Sequence, residues 1–319
     1  MDVQTARSLL HALPEVLARQ VYWRTPLLQR FYGGARKTVP TAARCLDLDR
    51  LASNFAASGI REGCCLMVHS SIDGLWIRTR KGVIRNQLQV AGELLRFLRG
   101  TVGPAGTLVM PTHPYYRDDP GFMFDKSGLR LRYDRVRTPS KVGLLTEMFR
   151  RSPMAIRSQH PLSAVAAEGP LAESITGGLP AAGDLPHGVN SPYKRLCDAG
   201  GLVVSINVPL INALTVVHVA EELRDADWPV KGFFYERTFD IRSGNSVMTT
   251  VVRERHPTWV RFISLRALRA DLIREGRVID ECIDGVKVGF ANAAGVVDYM
   301  LERNASSTYP YFLLCKERG

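Results

Sequence analysis

The chain has 319 residues, 45% hydrophobic and 23% charged, which is enough apolar material for one large core or two small ones and too much for a disordered chain. No stretch approaches the ~20 apolar residues of a spanning helix, and the opening Met1-Asp2-Val3-Gln4-Thr5-Ala6-Arg7 is followed by no apolar leader segment. Forty-two Lys+Arg against 31 Asp+Glu leave a formal charge of +11, which favours anionic partners, but the basic residues are dispersed and no nucleic-acid-binding motif accompanies them. Nucleic acid is therefore set aside.

Residues 1–40 read as an appendage. Leu9, Leu10, Leu13, Val16, Leu17 and Val21 fall near helical spacing, and a basic, aromatic stretch follows over 22–32. Pro14 and Pro26 break the apolar run, so packing on the body or a homo-oligomer contact is expected ahead of a peripheral contact with an anionic membrane. From residue 41 the pattern becomes a helix over 46–58, a buried strand over 64–69, an amphipathic helix over 83–98, a turn at Gly103-Pro104-Ala105-Gly106 and a strand over 107–110. That is an α/β unit whose first strand ends in the polar loop Ser70-Ser71. Next come a helix over 142–151, strands over 164–167 and 202–206, and a helix over 213–224. An antiparallel meander over 234–253 follows, with Gly244-Asn245 at its turn. The end reads as a helix over 265–275, a strand over 286–290, a helix over 293–302 and a strand over 311–314. The expected fold is α/β: a mixed-sheet body over 41–319 with an added antiparallel portion, and an N-terminal helical appendage over 1–40.

Six scattered cysteines without C-x-x-C spacing or paired histidines argue for reduced thiols in a cytoplasmic protein and against a bound metal. The stretch that draws the chemistry together is Arg157-Ser158-Gln159-His160-Pro161-Leu162-Ser163. Pro161 biases His160 toward an extended conformation, at the end of an element, where an imidazole can be aimed at a substrate and take a proton near neutral pH. The plain alternative is a histidine that hydrogen-bonds within its own turn. Four further segments matter with it: Val68-His69-Ser70-Ser71-Ile72-Asp73-Gly74-Leu75, Thr107-Leu108-Val109-Met110-Pro111-Thr112, Thr138-Pro139-Ser140-Lys141 with the helix behind it, and Val217-His218-Val219-Ala220-Glu221. A G-x-S-x-G elbow is missing, which excludes the corresponding hydrolases.

Together and in this order, these segments resemble the aminoglycoside 3-N-acetyltransferase (antibiotic N-acetyltransferase) family, from about Leu46 to the C-terminus. The resemblance implies that family's fold, acetyl-CoA as donor with CoA as product, and a primary amine on a sugar-like ring as acceptor. It carries the family's histidine before proline onto His160, and the acid of its L-H-L-A-E helix onto Glu221, with His218 on the same helix as the third catalytic candidate. Its serine-rich loop falls on Ser70 and Ser71 and its T-P-S loop on Thr138 and Ser140, which are expected to hold the CoA arm. Chemically, an amine attacks a thioester only when uncharged, so a base is required; His160 is the expected base and Glu221 the group that orients its ring. His113 and His187, in Pro-flanked loops, are placed on the acceptor side, and His69 is read as structural.

One departure bears on the acceptor. The polar G-x-G-H-D-S-N-T-like segment of aminoglycoside-acting members is replaced here by residues 205–215, where apolar side chains dominate and the acid is lost. With a charge of +11, this points to a phosphorylated or nucleotide-linked amino sugar of a glycan precursor. Aminoglycoside resistance is the enzymatic alternative, and a non-catalytic binding protein on the same fold the other. The acyl group is acetyl or longer.

Overall fold

The computed structural model describes residues 43–117, 119, 128–228, 232–256, 263–304 and 311. The expected appendage over 1–40 lies outside the described residues, as does the strand expected over 311–314 beyond Tyr311. In chain order the first elements are β1 (Arg44–Asp47), α1 (Leu48–Ala57), β2 (Cys65–Ser70), β3 (Leu75–Thr79), β4 (Gly82–Ile84), α2 (Gln87–Val102) and β5 (Thr107–Pro111). After β6 (Arg130–Asp134) come α3 (Leu144–Arg150), β7 (Ile156–Arg157), β8 (Val165–Glu168), α4 (Ala172–Thr176), α5 (Pro192–Asp198), β9 (Leu202–Ile206), α6 (Leu210–Ala213) and α7 (Val217–Arg224). The last are β10 (Phe234–Ser243), β11 (Ser246–Arg255), α8 (Leu265–Arg274), β12 (Val278–Ile283), β13 (Val286–Asn292) and α9 (Ala293–Arg303).

Side-chain chemistry sets several of these boundaries. Asp47 accepts from the backbone N–H groups of Asp49 and Arg50 and starts α1 two residues later than its apolar pattern suggests. Asn86 does the same for α2 through Leu88 and Gln89, so the helix runs over 87–102 instead of 83–98, and Val83 and Ile84 go into a hairpin with β3. The helix expected over 213–224 is split by a turn at 214–216, where the β-branched run Thr215-Val216-Val217 disfavours a continuous helix.

The central sheet has the strand order β12-β13-β9-β2-β5-β8-β7, with β2 parallel to both β5 and β9 and the remaining pairs antiparallel. Alternation along β2 sends Cys65 and Met67 to one face, against α4, α5, α7 and α9, and Leu66 and Val68 to the other, against α1, α2 and α3. Gly289 lets α6 lie directly on the sheet, since a Cβ there would stand 2.7 Å from Leu210 and 2.8 Å from the Ser205 hydroxyl.

A second sheet, β11-β10-β6, is the added antiparallel portion, with the turn at Gly244-Asn245 as expected and β6 joining it in parallel. Its apolar face, Leu131, Tyr133, Phe239, Ile241 and Val252, packs on Ala164 at the root of the β7–β8 hairpin. At the end of β9, Asn207 takes a left-handed conformation (φ 58°), and its side chain accepts from Arg44 and donates to the carbonyls of Ser71 and Asp73. The loop after β5, the β7–β8 loop, the start of α7 and the second sheet meet around one cleft.

Candidate active site

That cleft has a volume of about 440 Å³, and His113, Lys141, His187, His218, Arg237 and Arg255 are among its walls. A wider groove of about 880 Å³ between β4 and α2 carries Arg80, Lys81 and Glu93 but no histidine, and so offers no imidazole base.

The helix α7 places His218 and Glu221 three residues apart and hence on one face. His218 Nδ1 stands 2.9 Å from Glu221 Oε2, and Glu221 is fully buried. Arg255, at the end of β11, donates to the same carboxylate oxygen at 3.1 Å and approaches His218 Nδ1 to 2.6 Å. A single ring nitrogen cannot donate to one neighbour and accept from the other. Arg255 can only donate and so asks Nδ1 to accept, whereas a Glu221 carboxylate asks it to donate; the two contacts make opposite demands on this nitrogen. The His218 side chain is 19% exposed and faces the cleft, unlike its carboxylate partner.

A second pair lies beside the first. His187 Nδ1 is 2.8 Å from Glu222 Oε1, and the His187 backbone N–H donates to Glu222 Oε2 at 2.5 Å. Both side chains are buried. Burial pulls His187 well below the usual histidine range, reinforced by the charges of His218 and Arg255. Burial likewise pushes Glu222 up to about 8, against the opposing pull of Arg255 and the His187 backbone N–H.

His160 is arranged differently. Its Nδ1 accepts the Leu162 N–H at 3.2 Å, so the ring folds back onto its own turn. The turn itself is pinned by Tyr133 Oη donating to the Ser158 carbonyl at 2.7 Å, Tyr116 Oη donating to the Pro161 carbonyl at 2.5 Å, and Ser158 Oγ accepting from Val165 N–H at 3.1 Å. Leu162 and Ser163 reach the cleft, whereas His160 stands behind them at a cavity of about 20 Å³ shared with Gln159 and Arg195. Burial, aided by the charge of His187, pulls its pKa down to about 3. The expected His160–Glu221 pairing is not formed: Glu221 is taken by the nearer histidine on its own helix. His113 and His187 line the cleft, and His69 is buried on β2 with its pKa pulled to about 3 by burial and by His113.

The four positions expected to hold the CoA arm are loop-building residues. Ser71 Oγ and Ser140 Oγ accept from the backbone N–H groups of Asp73 and Val142, and Thr138 Oγ1 from that of Asp134. Ser70 is buried at the end of β2 with its hydroxyl unpartnered. Arg157, buried, ties two of these loops together by donating to Thr112 Oγ1 at 3.1 Å and to the carbonyls of Thr112 and Thr138 at 2.5 Å each. Thr138 also borders a basic shelf of about 400 Å³ that carries Arg117, Arg132, Arg137 and Arg242 and shares Tyr115 and Tyr116 with the cleft. Sequence reasoning missed the shelf, although the alternation Arg130-Leu131-Arg132-Tyr133-Asp134 is a strand signal. It likewise missed Arg237 and Arg255, which the β10–β11 hairpin brings to the cleft only through tertiary packing.

The fold and this geometry place an imidazole, backed by a buried carboxylate, at a polar cleft of a mixed α/β sheet. Among the described residues no group of three His, Cys, Asp or Glu side chains is placed to hold a metal. The chain belongs to the aminoglycoside 3-N-acetyltransferase family, whose model matches residues 67–303. It is 34% identical over 186 residues to the aminoglycoside N(3)-acetyltransferase VII of Streptomyces paromomycinus, a match covering 56% of this chain and 60% of that protein. The chain thus spans about three fifths of that relative's length. The crystal structure of the aminoglycoside acetyltransferase AAC(3)-Xa superposes with a TM-score of 0.64 at 22% identity, covering 81% of this chain and 92% of the other. AAC-IIIb in a binary complex with CoASH does so at 0.63 and 22%, covering 81% and 96%. At that identity the two structures establish the shared fold.

Proposed function

We propose that the chain is a cytoplasmic acetyl-CoA-dependent N-acetyltransferase that acts on a primary amine of an aminoglycoside. The observation that carries this reading is the His218–Glu221–Arg255 constellation opening on a cleft continuous with an arginine shelf. Bound acetyl-CoA supplies the activated acyl group as a thioester. The shelf arginines Arg132, Arg137 and Arg242 fit its phosphates, and the Thr138 loop borders the shelf. His218 Nε2 takes the proton of the attacking amine, and Glu221, which also accepts from Arg255, stabilises the imidazolium. Arg255 thus acts through Glu221, and Glu221 through His218.

The acceptor follows the relatives more than the net charge. The Streptomyces paromomycinus relative is named for aminoglycosides, and the cleft carries the carboxylates Asp119 and Glu254 beside its arginines. A charge of +11 spread over the chain therefore says little about this one wall. A nucleotide-linked amino sugar is the weaker reading. Thiol release from acetyl-CoA, measured across aminoglycosides and nucleotide amino sugars, tests both. Turnover of aminoglycosides at a ring amine is expected. Turnover confined to nucleotide amino sugars would overturn the acceptor, and no thiol release with either class would overturn the activity.

A further inference from the structure

Glu221 and Glu222 are adjacent on α7, and successive helical residues point about 100° apart. Each therefore reaches a different histidine: Glu221 takes His218, and Glu222 takes His187. The two rings stand edge to face, with centroids 5.2 Å apart. His187 is fixed on three sides, by Glu222 at Nδ1 and at its own backbone N–H and by the Tyr193 ring at 4.7 Å. His218, in contrast, has one anchored nitrogen and a partly exposed ring. Burying a histidine and a glutamate together offers little stability over an apolar pair of the same size, because desolvation offsets their attraction. A rigid polar pair pressed against the exposed imidazole has its consequence there.

We infer that Glu222 and His187 form a positioning pair for His218, a wall that holds its ring with Nδ1 turned onto Glu221 and Nε2 turned to the acceptor. The inference rests on the proposed role of His218 as base. Displacement of a reacting group by about 1 Å costs on the order of 10²-fold, so a loosened ring is felt in turnover before it is felt in binding. The charged and titratable groups around His187 are Glu221, Glu222 and His218 from α7, Arg255 from β11, Tyr193 from α5, and His113 and His160 from the adjoining loops.

The test compares Glu222→Met, Glu222→Gln and His187→Ala with the wild-type protein. Methionine keeps the volume of Glu222 and loses both hydrogen bonds, whereas glutamine keeps an oxygen for the backbone N–H and an NH2 for Nδ1. Glu222→Met and His187→Ala are expected to lower kcat roughly 10- to 100-fold with the KM for acetyl-CoA within about twofold, and Glu222→Gln to stay within about threefold of wild type. Wild-type kcat in Glu222→Met would overturn the pair's role, as would a loss in Glu222→Gln equal to that in Glu222→Met. Nitrogen NMR of histidine-labelled wild-type protein gives a readout that needs neither turnover nor a variant that folds. A single tautomer is expected for His218, and an even mixture would overturn the inference. A wild-type protein that releases no thiol sinks the acetyltransferase reading instead, while the tautomer result still judges the positioning pair.

Discussion

The β7–β8 loop and the helix α7 each bring a histidine toward the same cleft, and they treat it in opposite ways. The loop closes on His160: its Nδ1 accepts from Leu162, its Nε2 is buried without a partner, and the ring sits behind Leu162 and Ser163. The helix opens His218 to the cleft and backs it with Glu221 and Arg255. Both side chains are imidazoles at the edge of one sheet. What separates them is whether a carboxylate stands behind the ring and a space in front of it. A proline-flanked histidine draws the eye in sequence, yet the helical residue with an acid three positions on is the one backed by a carboxylate and open to the cleft.

The largest effect that would test this contrast is His218→Ala, expected to lower kcat by ~10²–10⁴-fold, the range for loss of a general base. His160→Gln, measured in the same thiol-release assay, is expected to keep kcat within about tenfold. Equal losses in the two would erase the distinction between the loop and the helix. Arg255→Met comes next. It leaves Glu221 buried without its guanidinium, and kcat is expected to fall on the order of 10- to 100-fold, with a lowered melting temperature because one partner of a buried charge pair has been removed. Unchanged kcat would mean that the carboxylate does not depend on Arg255.

The third effect is on stability. His69 and His160 have folded-state pKa values near 3, below the unfolded value of about 6.5. A depressed histidine stabilises the fold above its unfolded pKa, and that stabilisation is lost as pH falls from 6.5 toward 3. The loss amounts to on the order of 2 kcal/mol per histidine by pH 5. Thermal unfolding followed from pH 7 to pH 5 should show a falling midpoint, and His160→Gln should flatten the slope. An unaltered slope would mean that His160 is not buried as a neutral ring. The smallest effect is expected at the shelf: Arg132→Ala or Arg242→Ala should raise the KM for acetyl-CoA a few-fold, more at low salt than at high, with kcat nearly constant. Larger effects on the acceptor than on acetyl-CoA would reverse the two sides of the cleft.

The parallel strands of the central sheet, β2, β5 and β9, were legible because they are short, apolar and bounded by glycine or proline; the strand over 202–206 falls where its residues place it. The hairpin of β3 and β4 was not, since Arg78, Arg80 and Lys81 make it resemble a loop. His218 and Glu221 could be named from their segment, and His113 and His187 from their loops. The partnership between Glu221 and His218 was hidden because the more prominent histidine competed for the acid. Arg237, Arg242 and Arg255 lie far along the chain from the residues they join, and the pairing of β6 with β10 and the packing of that sheet bring them together.

Asn207 sets what can vary here. Its side chain ties the end of β9 to Arg44, Ser71 and Asp73, so the geometry of that corner is settled by a single residue before the segment 208–216 begins. The segment that follows buries Leu210 and Leu214 in the core and ends at Thr215 on the cleft wall. Variation in this segment reaches the cleft through Thr215, while its buried leucines keep it seated on the sheet.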